Sequence, residues 1–114
     1  YLKVKIYISI MKIYVDIDDT ICYYDVVVKM GVGKDYSLAK PYKDRIEKIN
    51  KLYDEGNEIT YWTARGTMTG IKWFHITMKQ LKEWGCKFHE LKMGKPAYDL
   101  FIDDKNINCE TYFK

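Results

Sequence analysis

The sequence predicts an α/β fold of three layers, a central parallel sheet with helices on both faces. Strand-like alternation and helical periodicity take turns from Met11 onward, polar residues cluster just beyond the strand-like runs, and glycines stand where the helical runs stop. At 114 residues the chain has the size of one domain, and a single domain over residues 1–114 is expected, without repeats or linkers.

Residues 1–10 set Leu2, Val4, Ile6, Ile8 and Ile10 against Lys3, Lys5, Tyr7 and Ser9, which reads as an extra edge strand or an extension before Met11. The run lacks the apolar block of a signal peptide. Residues 12–17 form the next expected strand, because Ile13, Val15 and Ile17 share parity, and it leads into Asp16-Ile17-Asp18-Asp19-Thr20. Residues 21–40 contain Val26, Val27, Val28, Gly31 and Gly33, and read as a turn with a small hairpin, a flap beside the acidic run. Pro41 opens a helix with Tyr42, Ile46, Ile49 and Tyr53 at helical spacing, and Gly56 ends it. A strand over residues 58–62 runs into Thr63-Ala64-Arg65-Gly66. Ile71, Phe74, Met78 and Leu81 mark a second helix closed by Gly85. Residues 87–91 form a third strand from Met11 onward. The loop from Lys92 to Pro96 then precedes a fourth over residues 100–102, which delivers Asp103 and Asp104.

The net charge of +3 with 31% charged and 47% hydrophobic residues is that of a soluble globular chain. It lacks the clustered basic face of a dedicated nucleic-acid binder. No stretch is apolar enough to span a membrane. Cys22, Cys86 and Cys109 form no C-x-x-C pair and no zinc pattern with His75 or His89, so three reduced thiols in a cytoplasmic setting are expected. Both histidines, and Trp62, Trp73 and Trp84, read as packing residues, whereas Tyr23 and Tyr24 follow the acidic loop closely enough to face a substrate.

Right-handed crossovers put the carboxyl ends of parallel strands on one edge, so Asp16, Asp18, Thr63, Asp103 and Asp104 are expected to gather there. Carboxylates in contact repel by about 4 kcal/mol per pair at an effective dielectric of roughly 20. A bound cation, or protonation of some of them, has to relieve that repulsion. Oxygen donors without His or Cys favour Mg2+, which also takes a substrate phosphate oxygen as ligand. Lys95 supplies further positive charge, keeping Asp16 ionised as a nucleophile and neutralising phosphoryl oxygens. Arg65 has two readings, a fork onto a second anionic group of the substrate or a salt bridge.

The run from Asp16 to Thr20 resembles the D-x-D-x-T signature of haloacid dehalogenase (HAD)-like phosphatases. Thr63, Lys95 and the Asp103-Asp104 pair resemble that family's three further motifs in order, over Met11 to about Asn108. The resemblance implies a three-layer Rossmann-like (HAD-like) fold and an Mg2+-dependent phosphatase. It makes Asp16 the attacking carboxylate, Asp18 the acid/base and, through its carbonyl, a metal ligand, and Thr63 a phosphoryl-binding residue. Asp16 and either Asp103 or Asp104 would hold the metal. Thr20, Ala64 and Arg65 are the candidate substrate-side residues, Thr20 chiefly by orienting the loop.

The intervals from Thr20 to Pro41 and from Thr63 to Lys95 are too short for a large cap domain. An open, capless site suits either a bulky substrate or a small one closed in by another subunit of a homo-oligomer. The Asp-Ile-Asp-Asp-Thr, Thr-Ala-Arg and Gly-Lys-Pro pattern resembles small capless phosphatases of capsule and sugar-nucleotide pathways, which implies a small sugar phosphate. A 5′-nucleotidase or polynucleotide 3′-phosphatase is the alternative, and a non-catalytic metal- or phosphate-binding module is the competing class. Cysteine phosphatase chemistry is excluded, because the Arg it needs six residues on is Val28 after Cys22 and Lys92 after Cys86. A nucleotide-binding P-loop is absent.

Overall fold

Strand β1, Lys12–Val15, is the first element of the computed structural model, which describes residues 10–25 and 35–114. The expected strand over residues 1–10 therefore falls almost wholly outside the described residues, as does the middle of the expected hairpin. After β1 come β2 (Cys22–Tyr23), a 3-10 turn (Tyr36–Leu38), β3 (Lys40–Pro41) and helix α1 (Lys43–Asp54). Then follow β4 (Glu58–Trp62), α2 (Phe74–Glu83), β5 (Glu90–Lys92) and the short α3 (Cys109–Tyr112).

The main sheet has the order β1-β4-β5 and is parallel throughout. Lys12 lies beside Glu58 and Val15 beside Tyr61, while Thr60 lies beside Glu90 and Trp62 beside Lys92. β2 and β3 form a separate antiparallel pair, Cys22 facing Pro41. Pro41 thus belongs to a strand rather than to a helix's first turn, and α1 starts two residues later.

Both long helices end as their glycines predict. Asn57 and Gly56 donate back to the Leu52 and Tyr53 carbonyls, and Cys86 and Gly85 to those of Leu81 and Lys82. In each case a glycine with positive φ takes the left-handed position of a Schellman closure. α2 begins at Phe74 rather than Ile71, because residues 65–69 form a turn that delays it.

Ile46 and Ile49 of α1 and Leu81 of α2 enter one buried cluster with Val15, Ile59, Tyr61 and Leu91 of the sheet. These strand residues share one parity, so α1 and α2 cover the same face. The strand order explains this: two successive right-handed crossovers stepping in one direction must return on one side. The opposite parity carries Tyr14, Trp62 and Lys92, whose rings and ammonium pack on one another. Among the described residues, then, the sheet carries its long helices on one face, not on two.

Two expected strands differ. Pairing in the third begins at Glu90, not residue 87. The expected strand over residues 100–102 does not form, and Leu100 and Ile102 stand 74% and 88% exposed. Three apolar residues favour extended backbone, but a strand exists only where another lends it hydrogen bonds. No helix of the described residues is long and apolar enough to cross a membrane.

Candidate active site

The chain reverses directly after β1. Ile17 is fully buried, and its carbonyl accepts from the Thr20 and Ile21 amides at 3.1 and 2.9 Å. Asp19 completes the reversal with φ of 61°, a left-handed conformation that aspartate tolerates better than most residues. Asp16 and Asp18, on either side of the buried Ile17, consequently line the same cavity of about 650 Å³. Arg45 of α1 braces this loop by donating to the Thr20 carbonyl at 3.0 Å, while its other nitrogen reaches Glu110 of α3.

Thr63 and Lys95 reach the cavity from the ends of β4 and β5. The Thr63 amide donates to the Lys92 carbonyl and the Lys95 amide to the Thr63 carbonyl, both at 3.0 Å. These bonds extend the sheet's pairing past its last formal rung and fix the two side chains relative to each other. The loop between β4 and α2 is held as tightly: Gly66 has φ of 81°, and a Cβ there would lie 2.1 Å from the Ile71 carbonyl oxygen.

Both oxygens of Asp16 have partners. Lys95 Nζ lies 3.2 Å from Oδ1, and the Thr20 hydroxyl donates to Oδ2 at 3.0 Å. The Asp16 side chain is 36% exposed against 14% for Lys95, so the carboxylate is open to a ligand while the ammonium is largely shielded. Burial works against the Lys95 charge, but Asp16 and a hydrogen bond with Tyr98 outweigh it, and the ammonium is held above the ordinary lysine range.

Asp18 is held by a different cation. Arg65 donates through Nε to Oδ2 and through Nη2 to Oδ1, both at 2.9 Å, and the Tyr24 hydroxyl donates to Oδ1 at 2.5 Å. The guanidinium is wholly buried, and Nη1 continues to Thr77 Oγ1 at 3.0 Å and Gln80 Oε1 at 2.6 Å. Burial pulls against the Arg65 charge, and the bonds to Asp18 more than restore it. Burial, and then the Asp18 charge, push the Tyr24 hydroxyl and the Cys22 thiol upward, so both stay protonated.

The structure thus brings Asp16, Asp18, Thr63, Ala64, Arg65 and Lys95 around one cavity, with Thr20 bonded beneath Asp16. It does not bring Asp103 and Asp104 there. Both are exposed on the segment that was expected to be a strand, and Asp103 Oδ2 accepts from the Lys105 amide at 3.1 Å. Without pairing over residues 100–102, nothing delivers them to the carboxyl edge of the sheet.

Among the described residues no group of three or more His, Cys, Asp or Glu side chains is placed to hold a metal ion. The two carboxylates in the cavity are paired with Lys95 and Arg65. Charge repulsion, which called for an external cation, is relieved here by cations of the chain itself.

Arg65 forks onto Asp18 rather than facing outward, and Tyr24 turns inward to the same carboxylate. His89 Nδ1 accepts the Ile59 amide at 3.1 Å, a structural role. Thr77 and Gln80 were not singled out from the sequence. Their signal was present, because they are polar residues three apart on the inward face of α2, beside Leu81.

No protein-family model matches this chain, and no curated protein matches it. A crystal structure of an MCSG target from Vibrio cholerae matches it with a TM-score of 0.75 at 24% identity, over 91% of this chain and 88% of that one. The chain shares that protein's fold: a mixed α/β architecture built on a parallel sheet with helices.

Proposed function

We propose that the chain is a phosphatase that hydrolyses a phosphate monoester of a small metabolite through an aspartyl-phosphate on Asp16. One observation carries this reading: a partly exposed carboxylate, a shielded lysine 3.2 Å from it and Thr63 meet around one cavity at the carboxyl ends of parallel strands. In this reading Lys95 and Thr63 receive phosphoryl oxygens, and an oxygen of Asp16 attacks phosphorus in line with the departing alcohol. The P–O bond to the alcohol breaks as the new P–O bond to Asp16 forms. Asp18, protonated at the outset, gives the leaving oxygen its proton and then takes one from the water that attacks phosphorus, releasing inorganic phosphate and returning Asp16 to its carboxylate and Asp18 to its acid form.

A HAD-like fold and Mg2+ belong to the same proposal. Asp16 and the Asp18 carbonyl are the groups of the cavity that would hold the ion, which would supply charge neutralisation for the phosphoryl group. The test is release of p-nitrophenol from p-nitrophenyl phosphate, with and without Mg2+. Wild type should turn over, Asp16→Asn should lose at least a thousandfold in rate, and EDTA should silence the wild type. Turnover by Asp16→Asn at the wild-type rate would remove Asp16 from the nucleophile's role.

One observation favours a second reading, a phosphate-binding module without turnover: both oxygens of Asp18 are occupied by a buried Arg65. Saturable binding of inorganic phosphate with no ester hydrolysis in Mg2+ would select it.

A further inference from the structure

The cavity around Asp16 is far larger than a phosphoryl group. Its volume of about 650 Å³ lies within the range of sites that enclose a whole small molecule, roughly 300–1,000 Å³. Beyond the charged corner, the lining includes Tyr36, Met68, Ile71, Trp73 and Tyr98. Tyr36 and Trp73 meet edge to face with ring centroids 5.0 Å apart, and the Tyr98 ring lies 5.5 Å from the Lys95 ammonium. Met68 stands 82% exposed and Ile71 56%, so among the described residues the lining offers exposed apolar surface.

Among the described residues and apart from the groups above, the non-aromatic polar side chains lining the same wall are Asp35 and Thr69. Asp35 Oδ1 already accepts from the Ser37 amide and hydroxyl at 2.9 and 2.6 Å, and Thr69 Oγ1 accepts from the Ile71 amide at 3.2 Å. A polyhydroxylated alcohol entering here would exchange water for few hydrogen bonds, which opposes its binding. A flat ring would gain contact with aromatic and thioether surfaces at no such cost.

We propose that this site prefers monoesters whose leaving alcohol carries a flat aromatic body, aryl or nucleoside, over sugar phosphates. The inference rests on the preceding reading only in placing the phosphoryl group at Asp16 and Lys95.

The test measures equilibrium binding of phenyl phosphate, a nucleoside monophosphate and a hexose phosphate by calorimetry on the full chain, with phosphate release followed separately. At least one aromatic ester should bind ten times more tightly than the hexose phosphate, and preference confined to one of the two identifies the source of the ring. Trp73→Ala should narrow that ratio about tenfold, as loss of one stacking contact does. Trp73 also sits at the start of α2, so Met68→Gln, at an exposed position, provides a second variant that should narrow the ratio without touching the fold. Aromatic preference without phosphate release would support this inference and overturn the hydrolase reading. Equal or tighter binding of the hexose phosphate, an unchanged ratio in both variants, or no binding of any ester at millimolar concentration would overturn it.

Discussion

Replacing Arg65 by Met keeps the aliphatic bulk of the side chain and removes four hydrogen bonds: two to Asp18, one to Thr77 and one to Gln80. Asp18 would remain a largely buried charge, its side chain 17% exposed, with the Tyr24 hydroxyl still bonded and the guanidinium fork lost. Thr77 and Gln80 would lose a donor in the interior. Removing one partner of a buried pair costs about 3–5 kcal/mol, set against a total stability of about 5–15 kcal/mol for a domain. With a urea dependence of about 2 kcal/mol per molar, the unfolding midpoint should fall by roughly 1.5–2.5 M. Far-ultraviolet dichroism against urea measures this directly. Arg65→Met combined with Asp18→Asn should recover part of the loss, because the buried charge that Arg65 answered is gone. Arg65→Lys should fall between, since an ammonium restores charge but not the fork. A midpoint within about 0.3 M of wild type for Arg65→Met, on the same urea scale, would refute the view that this pair ties the acidic loop to α2.

Gly66→Ala should cost at least about 2 kcal/mol, since it combines a positive φ with a Cβ driven into the Ile71 carbonyl; a neutral change in urea midpoint would contradict the close approach. Tyr61→Phe should stabilise the chain by up to about 1–2 kcal/mol, because the buried hydroxyl has no nitrogen or oxygen partner among the described residues. A clear loss would reveal a partner, for which the neighbouring Cys86 thiol is the candidate. Burial pushes the Cys86 thiol from its ordinary 9.0 up to about 11. A raised native value favours the folded chain below the unfolded value and loses that advantage as pH rises through the native one. Stability should therefore decline between pH 9.0 and about 11, and Cys86→Ala should ease the decline; an identical slope would show that Cys86 does not contribute.

Much of the site could be read before any coordinates. Alternating residues placed β1 and β4, glycine stops placed the ends of α1 and α2, and a carboxylate run just beyond β1 placed Asp16 and Asp18 at the sheet's carboxyl edge. These are local signals, because periodicity and capping depend on neighbours within a few residues. Thr63 followed once the strands were taken as parallel, since parallel strands put their ends together, and Lys95 from the positive charge that an ionised carboxylate nucleophile needs.

Local sequence was enough to predict a parallel α/β scaffold whose strand ends collect Asp16, Asp18 and Thr63. Which charge answers which was decided only in three dimensions. Arg65 and Asp18 lie 47 positions apart, Lys95 and Asp16 farther still, and nothing local tells a buried fork from a substrate contact. The same holds for residues 100–102: their pattern suits a strand, but strand pairing is a property of two segments. Without a partner the run stays exposed, and Asp103 and Asp104 stay with it. Local sequence sets a residue's preference, and long-range packing and hydrogen bonding determine whether that preference is met.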